Sequence, residues 1–194
     1  KWDGAPAVFC GIYPGTKKFF VGTKSVFNVN AKINFTEEDV DYNHGSSPGL
    51  AVKLKDCLKY LPELGITGVA QGDLLFTDDK QEKVINGTQC IIFQPNTITY
   101  CIPQEDELYT KASKAKVGVV FHTSYSGNDI GSMNASFGYD VSKLNDSKNV
   151  LVLSAETGQL GKDVLLTPVE KNNLDKLKST SKSSLSNASK FLDT

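Results

Sequence analysis

Apolar runs of strand length, each closed by turn residues, follow one another from residue 7 to residue 154, and few segments settle into helical spacing. The first run, 7–13, is closed by Pro14-Gly15 and answered by 18–24, which predicts a hairpin. Further strands are predicted over 69–76, 90–93, 97–102, 116–123 and 149–154. Segment 78–88 is polar, contains Asn86-Gly87 and reads as a hairpin loop, and 124–140 is rich in Gly and Ser and reads as a long loop. Thr36-Glu37-Glu38-Asp39 has the form of a capped helix start. After Pro48, residues Leu50, Leu54, Cys57, Leu58 and Leu61 repeat at three and four with lysines on the other face, and Pro62 and Gly65 close the segment. Segment 104–115 is helix-like. Strands joined by hairpins as well as helices predict an α+β domain of antiparallel sheets with flanking helices, not a doubly wound parallel sheet.

From 169 onward large apolar residues thin out, so 169–194 reads as a polar helical or flexible tail. The 194 residues carry 21 basic and 22 acidic side chains, a net charge of −1. Global attraction to nucleic acid or to an anionic membrane is therefore not expected, and any such binding must use a local patch. Every basic residue is Lys. Without Arg there is no bidentate fork for phosphate or guanine, which leaves Lys point charges, backbone amides and metal ions. No apolar run approaches the roughly 18–20 residues of a membrane span, and the opening Lys1-Trp2-Asp3-Gly4 is not a signal peptide. Cys10, Cys57, Cys90 and Cys101 form no CxxC pair and have no nearby His, so reduced, buried thiols are expected instead of a zinc site. His44 precedes Gly45 and reads as a helix end, where an imidazolium complements the dipole. His122, beside Thr123, could line a pocket, but spaced partners for a metal triad are missing.

Candidate chemistry lies in three segments. The first is Lys1-Trp2-Asp3-Gly4, a K-x-D-G pattern running into an apolar strand. The second is Phe19-Phe20-Val21-Gly22-Thr23-Lys24-Ser25, across the predicted hairpin. The third is Gln71-Gly72-Asp73-Leu74, with an acidic residue inside an otherwise apolar strand. A carboxylate there is costly to bury without a partner, which favours a functional role.

Together these segments resemble the covalent nucleotidyltransferases, the ATP-dependent DNA and RNA ligases and mRNA capping enzymes. More specifically, residues 1–11, 19–25 and 71–74 look nearly the same as segments of ligase-like proteins of tailed, especially marine, bacteriophages. The resemblance implies a ligase adenylation-type fold over 1–168, and Lys1 as the catalytic nucleophile that forms a lysyl–NMP intermediate. It implies nucleotide contacts from Asp3, Gly4 and Lys24, although the family usually has Arg where Lys24 stands. Asp73, in place of the family's Glu, would bind ribose or a divalent metal, and Phe121 would stack on the base. The implied ligands are ATP or GTP and Mg²⁺, and the implied substrates are DNA or RNA ends or nicks. The family's late Glu-Gly and Lys-x-Lys motifs are not found, and Glu156-Thr157-Gly158 and Lys162 are poor stand-ins. The domain is therefore expected to be incomplete, covering at most the first two-thirds of such a fold. The alternative reading is a non-catalytic phage binding or structural protein that keeps the fold and contacts other phage proteins. Either would act without a membrane, in the cytoplasm of an infected host cell or on the virion.

Overall fold

The computed structural model describes residues 2–155 and 167–192, and the chain divides into two compact units, Lys1–Thr157 and Gly158–Thr194. In the first unit β1 (Ala7–Ile12) and β2 (Phe19–Gly22) form the expected hairpin, with Phe9 opposite Gly22 and Ile12 opposite Phe19. Thr36 caps α1 (Glu37–His44) reciprocally. Its hydroxyl accepts from the Asp39 N–H, and the Asp39 carboxylate accepts from the Thr36 N–H. Pro48 opens α2 (Pro48–Tyr60), whose apolar face follows the predicted spacing. β3 (Val69–Phe76) then runs antiparallel to β1, with Asp73 opposite Ala7.

Two segments expected to be loops contain strands. β4 (Gln81–Ile85) pairs with β5 (Thr88–Phe93) across Asn86-Gly87, whose φ values of 51° and 84° give the turn the twist that tight hairpins need. β4 is exposed at every position, so its sequence has no alternation to reveal it. β6 (Tyr100–Pro103) completes this three-stranded sheet in the order β4-β5-β6. α3 (Tyr109–Lys114) occupies only the second half of the helix-like segment 104–115. β7 (Val117–Ser126) runs past the predicted strand end, and β8 (Asn134–Phe137) pairs back onto its second half from within 124–140. β9 (Val150–Ser154) lies beside the first half of β7 and is parallel to it, so the larger sheet is not wholly antiparallel. Its order is β2-β1-β3-β7-β8, with β9 also on β7.

The described part of this unit is α+β, and its core lies on both faces of the larger sheet. Leu54, Cys57 and Leu61 seal one face against Val8, Cys10, Ala70, Leu74, Val119 and Phe121. The opposite face carries two apolar clusters. One joins Leu75, Phe76 and Val120 to Ile91 and Phe93 of the smaller sheet and Ala112 of α3. The other gathers Phe9, Phe20, Val26, Val69 and Ile130.

The second unit contains α4 (Pro168–Leu192). Thr167 and Glu170 close its start reciprocally: the Glu170 carboxylate accepts from the Thr167 N–H at 2.8 Å, and the Thr167 hydroxyl accepts from the Glu170 N–H at 3.3 Å. Among the described residues no helix is long and apolar enough to cross a membrane.

Candidate functional site

Strand alternation sorts the candidate residues between the two faces of the larger sheet. In β3, Ala70, Gly72 and Leu74 alternate with Gln71 and Asp73, and Ala70 and Leu74 belong to the α2 side. Asp73 therefore points to the opposite face. There it pairs with Ala7 of β1 and with Val120 of β7, a member of the cluster beneath the smaller sheet. Its side chain is 28% exposed.

The register between β3 and β7 shifts at Gln71/Gly72. Gln71 faces Thr123, Gly72 faces Phe121, and His122 is the extra residue between them. Two residues beyond Val120, the partner of Asp73, His122 lies on the Asp73 face by strand alternation. His122 turns toward Asp73, with its Nε2 3.7 Å from Asp73 Oδ1 and its Nδ1 2.7 Å from Thr123 Oγ1. The imidazole also stacks at 6.5 Å on Phe137 of β8, a largely exposed ring. Farther along the same face, the Tyr125 hydroxyl donates to Gln71 Oε1 at 2.7 Å. A polar seam thus lies on the face that carries the two apolar clusters.

The N-terminal segment meets this seam at Gly4. A Cβ on Gly4 would sit 2.5 Å from Asp73 Cβ and 2.8 Å from the Leu74 carbonyl oxygen, so only a glycine fits. The segment is fastened to β3 on its way into β1: the Ala5 N–H donates to the Leu74 carbonyl at 2.9 Å, and the Leu74 N–H donates to the Pro6 carbonyl at 3.1 Å. Asp3 is held by the β5–β6 loop. Its carboxylate accepts from Asn96 Nδ2 at 2.9 Å, the Thr97 N–H at 2.8 Å, the Thr97 hydroxyl at 2.7 Å and the Ile98 N–H at 3.0 Å. These donors hold the Asp3 carboxyl well below the usual carboxylate range, with the Thr97 and Asn96 side chains contributing most. The Asp3 N–H donates to the Tyr100 hydroxyl at 2.7 Å, and the Trp2 ring lies on Tyr100 with centroids 5.3 Å apart. Asp3 is thus an anchor that fixes the segment, with its oxygens already engaged.

Lys24 is exposed, at the start of a short 3-10 helix (Lys24–Phe27) capped by Thr23. Gly22 is opposite Phe9, and Ala7 is opposite Asp73, so β2 delivers Lys24 toward the end of the sheet where Asp73 lies. Gly4 and Asp73 are brought together, and Lys24 leaves its strand at the same end. Phe121 is not brought to them. It is fully buried on the α2 face, with its ring 5.1 Å from Tyr139, because it is paired with Gly72 and not with Asp73. A base on the Asp73 side cannot stack on it. Lys1, Glu156, Thr157, Gly158 and Lys162 lie outside the described residues.

Nothing in the residue pattern pointed to the Asp73–His122 pair, since neither spacing nor composition shows which strands pair or in what register. Phe137 was hidden in a segment read as loop. The grip of residues 96–98 on Asp3 joins parts of the chain linked only by tertiary structure. Chemically, a carboxylate and an imidazole that face each other can bind a divalent cation or the hydroxyls of a sugar. Among the described residues, no group of three or more His, Cys, Asp or Glu gathers around a common point. A cation at Asp73 would complete its coordination with water, backbone or ligand oxygens. No curated protein and no solved structure matches the chain. A family model does match, over residues 1–194, and the chain belongs to that family of unknown function, DUF6267.

Proposed function

We propose that the protein is a covalent nucleotidyltransferase of the ligase type, using ATP or GTP with Mg²⁺ and acting on the ends or nicks of DNA or RNA. The observation that carries this reading is the contact of Gly4 with Asp73, which seats residues 2–4 of the K-x-D-G motif on the acidic strand. Asp3, held by four donors, sets the course of that segment. In the proposed step the neutral amine of Lys1 attacks the α-phosphorus of the nucleoside triphosphate. A P–N bond forms, the bond to pyrophosphate breaks, and the amine gives up a proton to water. Asp73 holds ribose or the cation, and Lys24 offsets phosphate charge. Mg²⁺, when bound, would offset the triphosphate's charge, and Asp73 is the residue that would hold it.

The test is incubation of the protein with α-labelled ATP or GTP and Mg²⁺. Label is expected to remain on the protein through denaturation, Lys1→Ala to abolish it, and Asp73→Asn to weaken it less, because the amide keeps the shape and loses the charge. Unchanged labelling of Lys1→Ala would remove the nucleophile assignment. A second reading, a non-catalytic phage binding or structural protein that retains the site, is favoured by the burial of Phe121, which leaves a base without that stacking partner. Nucleotide binding with no covalent label would decide for it.

A further inference from the structure

We infer that His122 is a second cation ligand beside Asp73, and that the pair selects a first-row transition dication such as Mn²⁺ over Mg²⁺. This rests on the reading above only in placing a cation at Asp73.

The distance is the first argument. At 3.7 Å, His122 Nε2 and Asp73 Oδ1 are too far apart for a hydrogen bond but can share one ion. Two donors each about 2.1 Å from an ion at this separation subtend an angle of about 120°. Mg²⁺ demands near-ideal octahedral edges, about 3.0 Å between neighbouring donors at its bond lengths, and dehydrates reluctantly. Transition dications accept wider angles and bind imidazole nitrogen, which is a poor match for Mg²⁺.

The second argument is the outer contact of the imidazole. A ligating histidine usually donates its other ring N–H to a fixed acceptor, which orients the ring. His122 Nδ1 lies 2.7 Å from Thr123 Oγ1. With Nδ1 as donor, the Nε2 lone pair faces Asp73.

The third argument is the backbone. His122 stands two residues beyond Val120, the β7 partner of Asp73, so strand alternation puts it on the Asp73 face. The register shift at Gln71/Gly72 leaves it without a β3 residue opposite, and bulge positions of this kind are over-represented beside sites.

The experiment is Mn²⁺ titration of the intact protein, followed by the electron paramagnetic resonance of the free ion, with pulsed spectra of the bound ion. Wild type is expected to bind Mn²⁺, with nitrogen modulation from one imidazole, and to release it only to a large excess of Mg²⁺. His122→Gln should lose the modulation, weaken Mn²⁺ binding about tenfold and leave Mg²⁺ binding nearly unchanged. Asp73→Asn should weaken binding of both ions. Absence of nitrogen modulation in wild type, or equal Mn²⁺ affinity in His122→Gln, would overturn the inference. Should His122→Gln fail to fold, as checked by circular dichroism, the wild-type modulation decides alone. The readouts separate the two proposals. Lys1-dependent labelling without nitrogen ligation would leave the nucleotidyltransferase reading standing and sink this one. Nitrogen ligation without labelling would do the reverse.

Discussion

At residue 44 the local signal and the tertiary environment pull in opposite directions. His44 ends α1, where the helix dipole favours an imidazolium, as the sequence suggested. The residue is buried, however, and its Nε2 has no hydrogen-bond partner among the described residues. Burial first, and then the nearby Lys32 ammonium, push its pKa below the ordinary 6.5. The Lys32 ammonium is itself held 2.9 Å from the Asn43 carbonyl oxygen. The neutral form is therefore the folded form. The unfolded chain takes up this proton at about pH 6.5 and the folded chain only at lower pH, so the contribution to stability is complete above 6.5 and is lost as pH falls below it. The slope from one such group is at most about 1.4 kcal/mol per pH unit. Glu63 and Asp79 have folded pKa values lowered from 4.5 and 3.8, and their losses begin only near those more acidic values. Chemical denaturation of wild type between pH 7 and 5.5 should show falling stability, and His44→Gln should flatten that limb. Parallel limbs in the two proteins would show that the histidine is not the titrating group.

At the scale of elements, α2 is the part whose place in the fold follows most directly from its own sequence. Leu54 is fully buried against the larger sheet, while Val52, two residues earlier, is half exposed. Leu54→Ala should lower the unfolding free energy by about 2–5 kcal/mol, and Val52→Ala should change it by less than about 0.5 kcal/mol. Comparable losses in a urea titration would mean that α2 is not seated as described. The contrast with β4 explains what could be read in advance. α2 buries one face, so burial leaves a helical period in its sequence, and β1, β2 and β3 are buried on both faces, so they read as near-continuous apolar runs. β4 buries none of its residues and β8 is exposed throughout, so both looked like loops. β9 was expected, but its parallel pairing was not, because strand direction is set by the chain path and not by residue pattern. The site divides in the same way. Asp73 stood out as an acid in an apolar strand, and Gly4 belonged to a visible motif. Phe121 fits a core position and a stacking position equally well by type, and only the register shows which face it takes. Alternation along β7 then puts the neighbouring His122 on the Asp73 face.

For the molecule as a whole, the four cysteines divide between the core of the larger sheet with α2 and the smaller sheet, and make their opening separately measurable. All four are free thiols, with Cys10, Cys57 and Cys90 buried and Cys101 exposed. Cys10 on β1 and Cys57 on α2 belong to one core cluster, although helix and strand are distant in sequence. Burial pushes both of these thiols up, which further suppresses the reactive thiolate. Cys90 lies on β5 in the smaller sheet, where its thiol contacts that of Cys101 on β6. Maleimide labelling of the native protein, followed by intact mass, should therefore add one group quickly, at Cys101. Cys10 and Cys57 should then react together, at the rate at which the larger sheet and α2 separate. Cys90 distinguishes two kinds of molecule. If it reacts in step with Cys10 and Cys57, both sheets unfold as one cooperative unit. In that case the β5–β6 loop keeps its grip on Asp3 for as long as the core is intact. If Cys90 reacts much earlier, the smaller sheet opens alone and the anchor of the Trp2–Gly4 segment is released while the rest of the domain stays folded. The cluster shared by Phe76, Ile91, Phe93 and Val120 bridges the two sheets. The expected result is therefore one fast adduct and three slow ones with a common rate. A second fast adduct at Cys90 would show that this cluster does not couple the sheets.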